Sequence, residues 1–67
     1  MKYTIQCEQE TDGRWIAEIA DLPGALVFGS TKEEAIAKVE ALALRVVAEQ
    51  IEHKELVPDL SISFLML

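Results

Sequence analysis

Gly29-Ser30-Thr31-Lys32-Glu33-Glu34-Ala35 is where the chain changes its period. Upstream of it, apolar residues recur at every second position; downstream they recur at every third or fourth. The first spacing belongs to a strand with one wet face, the second to an amphipathic helix. Thr31, followed three residues later by Glu34, fits a capping box: the threonine hydroxyl accepts from the Glu34 amide and the carboxylate reaches back. Ser30 with Glu33 fits the same pattern one residue earlier, so either residue can be the cap. Glu33 and Glu34 also suit the positive end of the helix dipole.

Downstream, no Gly or Pro occurs from Lys32 to about Glu52, which predicts one helix of 21 residues, roughly 30 Å long. Ala35, Ile36, Val39, Leu42, Ala43, Val46, Val47 and Ile51 form its broad apolar stripe, with Leu44 off that stripe. So wide a stripe is more than one sheet easily covers. His53–Asp59 is a polar connection containing Pro58, and Leu60–Leu67 returns to alternation as a last strand, apolar on both faces at its end.

Upstream, residues 2–8 alternate strictly, with Tyr3, Ile5 and Cys7 on one face and Lys2, Thr4, Gln6 and Glu8 on the other. Asp12-Gly13 is a hairpin signal. Residues 14–20 resume the alternation, setting Trp15, Ala17 and Ile19 against Arg14, Ile16 and Glu18. Asp21-Leu22-Pro23-Gly24 is a turn in which Gly24 supplies the positive φ of a type II geometry. Ala25–Phe28 is a short third strand closed by Gly29. The expected fold is α+β with the order β-β-β-α-β. Three strands form an antiparallel meander, the helix packs on one face, and the fourth strand returns parallel to a meander strand. The other face is left partly apolar by Ile16, Leu26 or its neighbours, and the last strand.

Length and charge narrow the function classes. The chain has 67 residues and a net charge of −6, and its two halves, 1–30 and 31–67, carry −3 each. One domain fits in that length, and a chain so short buries only about 60% of its unfolded surface. Hydrophobic residues make up 51%, too many for a disordered tail. No basic segment is present to neutralise phosphates, which argues against direct nucleic-acid binding; an acidic surface suits a basic protein partner. A single cysteine, Cys7, rules out an internal disulfide and a thiolate metal cluster. Ala35–Ala48, the longest apolar-rich stretch, is interrupted by Lys38, Glu40 and Arg45 and is too short for a membrane span. With no signal peptide pattern after Met1-Lys2, a cytoplasmic location is expected.

Residues capable of chemistry are sparse. His53 is the one histidine and reads as a helix-end residue near the last carbonyls. Cys7 reads as a small core residue. Glu8, Glu18, Asp21 and Asp59 are the carboxylates weighed for a two-metal nuclease, yet no spacing forces three of them together. Gly24 and Gly29 read as turn glycines, since no GxxxxGK pattern exists. Neither a metal nor a cofactor is expected.

The run Trp15-Ile16-Ala17-Glu18-Ile19-Ala20-Asp21-Leu22-Pro23-Gly24, then Gly29-Ser30-Thr31-Lys32-Glu33-Glu34-Ala35, resembles the HicB-like antitoxin family, whose members read W-x-A-x-x-x-D-L-P-G and then G-x-T-x-x-E-A. The opening Tyr3-Thr4-Ile5 and the Asp12-Gly13 hairpin are similar to that family too, so the resemblance covers residues 3 to about 50. It implies a partial ribonuclease-H-like fold and an antitoxin that occludes HicA, a small basic mRNA-cleaving toxin. It implies no enzyme: Lys2–Glu8 has no central Asp where ribonuclease H places a metal ligand. Family members usually continue into a DNA-binding domain, which is not expected here, so operator binding does not carry over. The partner-binding residues expected are Trp15, Glu18, Asp21 and Phe28, near the motif. The alternatives are an orphan domain that only self-associates, motivated by Phe64-Leu65-Met66-Leu67 and the wide helix stripe, and a metal-dependent nuclease using Glu18 and Asp21. A homodimer is expected in the antitoxin and orphan readings.

Overall fold

The alternation of the first nine residues has its physical counterpart in the longest strand. The computed structural model describes residues 1–54 and 61–67. Its elements are β1 (Lys2–Gln9), β2 (Trp15–Glu18), β3 (Leu26–Gly29), α1 (Lys32–Glu52) and β4 (Ser63–Met66). They form one four-stranded sheet in the order β3-β2-β1-β4. β1 pairs antiparallel with β2 and β2 antiparallel with β3, while β4 lies parallel to β1. The α+β architecture read from the pattern is therefore the observed one, and β1 is the strand that receives the returning chain.

The hairpin after β1 is closed by a three-residue loop. Glu10 N–H donates to Arg14 C=O at 2.7 Å, Gly13 N–H donates to Glu10 C=O, and Gly13 takes φ +92°. That is a type I turn completed by a left-handed residue, where glycine has no Cβ penalty. The second turn behaves as its residues dictate: Gly24 takes φ +77°, and Leu22 and Ala25 are bonded across it. Leu22 is buried here and plugs the end of the core.

α1 starts and ends where the pattern placed it. Thr31 is the N-cap, its hydroxyl accepting from Glu34 N–H at 3.1 Å. Past the C-cap His53, Lys54 holds φ +59°, a conformation usually left to glycine or asparagine, and donates to Ile51 C=O. Ala35, Val39, Ala43 and Val47, one per turn, are the helix residues buried against the sheet. Ala35 and Ala43, alternating with valine along this line, let the helix lie close. The tightest point is Gly29, where an added Cβ would stand 2.6 Å from the Ala35 backbone nitrogen.

α1 packs on β3, β2 and β1 and hardly reaches β4. The core between the layers is Tyr3, Ile5, Ala17, Ile19, Leu22 and Ala25 with the four helix residues. Phe64 of β4 joins at the margin, its ring 6.1 Å from that of Tyr3. The final strand is shorter than the pattern predicted: pairing with β1 begins at Ser63, and Leu60, the expected first residue, lies outside the described residues. Among the described residues, no helix is long and apolar enough to cross a membrane.

Candidate functional site

Strand register decides which side chains share the face that α1 leaves open. Residues directly opposite across a ladder point the same way. Gln6 stands opposite Glu18 and Glu8 opposite Ile16; Ile16 stands opposite Phe28 and Glu18 opposite Leu26; Thr4 stands opposite Leu65. The open face thus carries a polar, acidic middle between two apolar margins. One margin is Leu26 and Phe28 on β3, 44% and 40% exposed. The other is Leu65, with Leu67 beyond the strand, 57% and 72% exposed.

A shallow groove of about 490 Å³ runs along the middle. Glu8, Glu10 and Glu18 line it with Gln6 and Cys7, and Ile16 and Leu67 supply apolar walls. No Lys or Arg contributes to this lining. Three carboxylates over apolar walls form a surface that attracts cationic groups and gives their aliphatic stems something to lie on.

The rim on the β3 side is more defined. Arg14 lies with its guanidinium carbon 4.6 Å from the centre of the Phe28 ring. Asp12 holds that guanidinium in place, accepting from Arg14 Nε at 2.8 Å and from the Arg14 backbone N–H at 3.0 Å. These bonds, the backbone one foremost, keep the Asp12 carboxyl below the usual carboxylate range. Across the β3 edge, Lys38 Nζ bonds Glu34 Oε1 at 2.9 Å and also donates to Phe28 C=O at 3.4 Å. The Lys38 ammonium and, after it, the Ser30 backbone N–H hold the Glu34 carboxyl low as well.

The four residues read from the motif do not share one surface. Glu18 and Phe28 lie on the open face. Trp15 is on the opposite face, half-buried beside the core, with Lys32 Nζ 5.9 Å from its ring centre. Asp21 is exposed in the turn after β2. Among the carboxylates weighed as metal ligands, Glu8 and Glu18 meet in the groove. Asp21 does not line it, and Asp59 lies outside the described residues. Among the described residues no three of His, Cys, Asp and Glu are grouped to hold a metal ion. His53 ends α1 with its Nε2 3.9 Å from the Glu49 carboxylate, an exposed helix-end contact rather than a bond to the last carbonyls. Cys7 is half-buried between core and groove.

Sequence reasoning missed Glu10. It sits just past β1, where alternation no longer assigns a face. Only the hairpin closure by its N–H and the Arg14 C=O carries its side chain to the groove.

Comparison with known proteins gives one informative relative. UPF0150 protein Ta0767 of Thermoplasma acidophilum is 34% identical over 59 residues, which span 87% of this chain and 84% of the relative. No family model matches the chain, and no solved structure matches it. Identity at that level over most of both chains shows that this chain belongs to the UPF0150 family.

Proposed function

We propose that the protein is an antitoxin-type binding module that seats a small basic protein, of the HicA ribonuclease-toxin kind, on the open face of its sheet. The observation that carries this reading is the groove lined by Glu8, Glu10 and Glu18 together with Ile16 and Leu67, with no cation in its lining. Charge of one sign over apolar walls raises the encounter rate with a basic partner and fixes its register. The overall charge of −6 extends the same attraction beyond the groove. The motif series from Trp15 to Ala35 resembles HicB-like antitoxins, and membership of the UPF0150 family is compatible with that resemblance. On this reading the chain acts by occlusion and carries no catalytic residue, and its place of work is the cytoplasm, where such a toxin meets mRNA.

Co-expression with the small basic reading frame beside its gene, followed by pull-down and a growth assay, tests the proposal. A stable complex and restored growth are expected. Joint Glu8→Gln and Glu18→Gln substitution should weaken the complex at least about tenfold, with the loss largest at low ionic strength. Absence of a complex refutes the reading. So does cleavage of RNA by the purified chain in Mg²⁺ that disappears in Glu18→Ala.

A further inference from the structure

The outer edge of β3 is complementary to itself. β3 ends the sheet, with β2 its one neighbour among the described residues. The bond from Ile19 N–H to Ala25 C=O sets the alternation: Ala25, Val27 and Gly29 turn their backbone groups toward β2, and Leu26 and Phe28 turn theirs outward. Two of those four outward groups are already engaged. Leu26 N–H donates to Gly24 C=O at 3.0 Å, and Phe28 C=O accepts from Lys38 Nζ at 3.4 Å. Leu26 C=O and Phe28 N–H point outward from the sheet edge.

We propose that this edge pairs with the same edge of a second copy of the chain, antiparallel, about a two-fold axis beside Val27. In that register Phe28 N–H meets Leu26 C=O of the second copy, and the symmetry repeats the bond. The two engaged groups face each other, so neither open group is spent on a capped one. The side chains follow the backbone: each Phe28 falls beside the other copy's Leu26 on the open face. The exposed pair then becomes a strip running from Ile16 of one copy to Ile16 of the other. This gives the 44% and 40% exposed Leu26 and Phe28 an apolar neighbour. On the other face, the close approach of Ala35 to Gly29 holds α1 against β3. The α1 flank that leans over the edge bears the Glu34–Lys38 ion pair, whose charges cancel, and, one turn on, half-buried Leu42, so the two helices come to lie side by side. No carboxylate is brought against a carboxylate at the strand pair. The remaining opposition is the −6 carried by each copy, which added salt screens. The resulting eight-stranded sheet leaves both acidic grooves uncovered, so the pairing stands or falls independently of a basic partner.

Analytical ultracentrifugation from micromolar to millimolar concentration, with amide exchange followed by NMR, tests the pairing. The mass should rise toward twice 7.5 kDa, more readily at high salt. Exchange at the Phe28 amide should slow by at least about tenfold as it does so. Phe28→Pro removes an N–H directed away from β2, a substitution an edge strand can accept. Leu26→Lys leaves the backbone intact and puts a charge opposite Phe28. Each should weaken association by at least about tenfold, with helical circular dichroism retained. Leu65→Lys on the far edge should leave association unchanged. A monomer at every concentration overturns the proposal, as does a Phe28 amide whose exchange ignores concentration. Dissociation by Leu65→Lys but not by Leu26→Lys moves the contact to the other edge and overturns it equally.

Discussion

The two faces of one sheet are written by alternate residues of the same strands, and they have opposite fates. Toward α1, Ile5, Ala17 and Ile19 are at most 1% exposed. On the other side, their neighbours Gln6, Ile16 and Glu18 line an open groove, and Leu26, Phe28 and Leu65 stay 40% to 57% exposed. The covered face is apolar and small where the helix must approach, and among the described residues no polar or charged residue is buried. The open face mixes carboxylates with large apolar groups, a composition that packs poorly in a core but suits recognition. Stability and the proposed partner contact thereby fall to different residues a single position apart, and substitutions on the two faces should separate cleanly.

The largest effect is expected at the centre of the covered face. Ile5→Ala removes a fully buried side chain and should cost about 2–5 kcal/mol in urea unfolding, enough to unfold much of so small a domain. Gly29→Val comes next. Its Cβ would stand 2.6 Å from the Ala35 nitrogen, and the forced shift of α1 should cost about 1–3 kcal/mol, seen as a lowered Tm. If Gly29→Val is neutral, the helix is not held as closely to β3 as its spacing states.

Thr31→Ala deletes the hydroxyl that accepts from Glu34 N–H and should cost about 1 kcal/mol, with Thr31→Ser recovering most of it. On the open face, Leu65→Ser should change unfolding free energy by no more than about 0.5 kcal/mol. A loss comparable to that of Ile5→Ala would mean that the margin of Leu65 and Leu67 belongs to the core and the contrast between faces is false. Acid gives the smallest effect. Asp12 and Glu34 have their carboxyls held low in the fold by Arg14 and by Lys38. Their contribution is complete above the usual carboxylate pKa and is lost as pH falls through the lowered one. Both ion pairs lie at the surface and are screened by solvent, so the drop in Tm on acidification should be slight, and smaller still in Glu34→Gln.

Much of the covered face was legible because its information is local. Alternation in residues 2–8 and 14–20, the Gly24 turn and the helix cap each act over a few residues; the turn appears as read, the structure selects Thr31 over Ser30 as the cap, and β2 keeps only Trp15–Glu18 of the second alternating run. The candidate site was legible in part. Glu18 was placed by alternation and Phe28 only by the β2–β3 register, while Trp15 follows its alternation to the opposite face, so closeness to a motif did not imply a shared surface. Lys54 in a left-handed conformation carried no signal, since nothing in its residue type requests it. The short β4 was overestimated because an apolar alternating run can continue past the point where a partner strand is available.

By itself the sequence determined the element order, the helix limits and which residues of each strand travel together, because side-chain period and capping are properties of neighbouring residues. Tertiary structure alone decided that β4 joins β1, that Glu8, Glu10 and Glu18 line one groove, and that β3 and β4 are the edges among the described residues. Those outcomes depend on register between segments far apart in the chain. A shift of one residue in that register would turn every side chain to the other face, and local pattern carries no record of which register the packing of α1 selects.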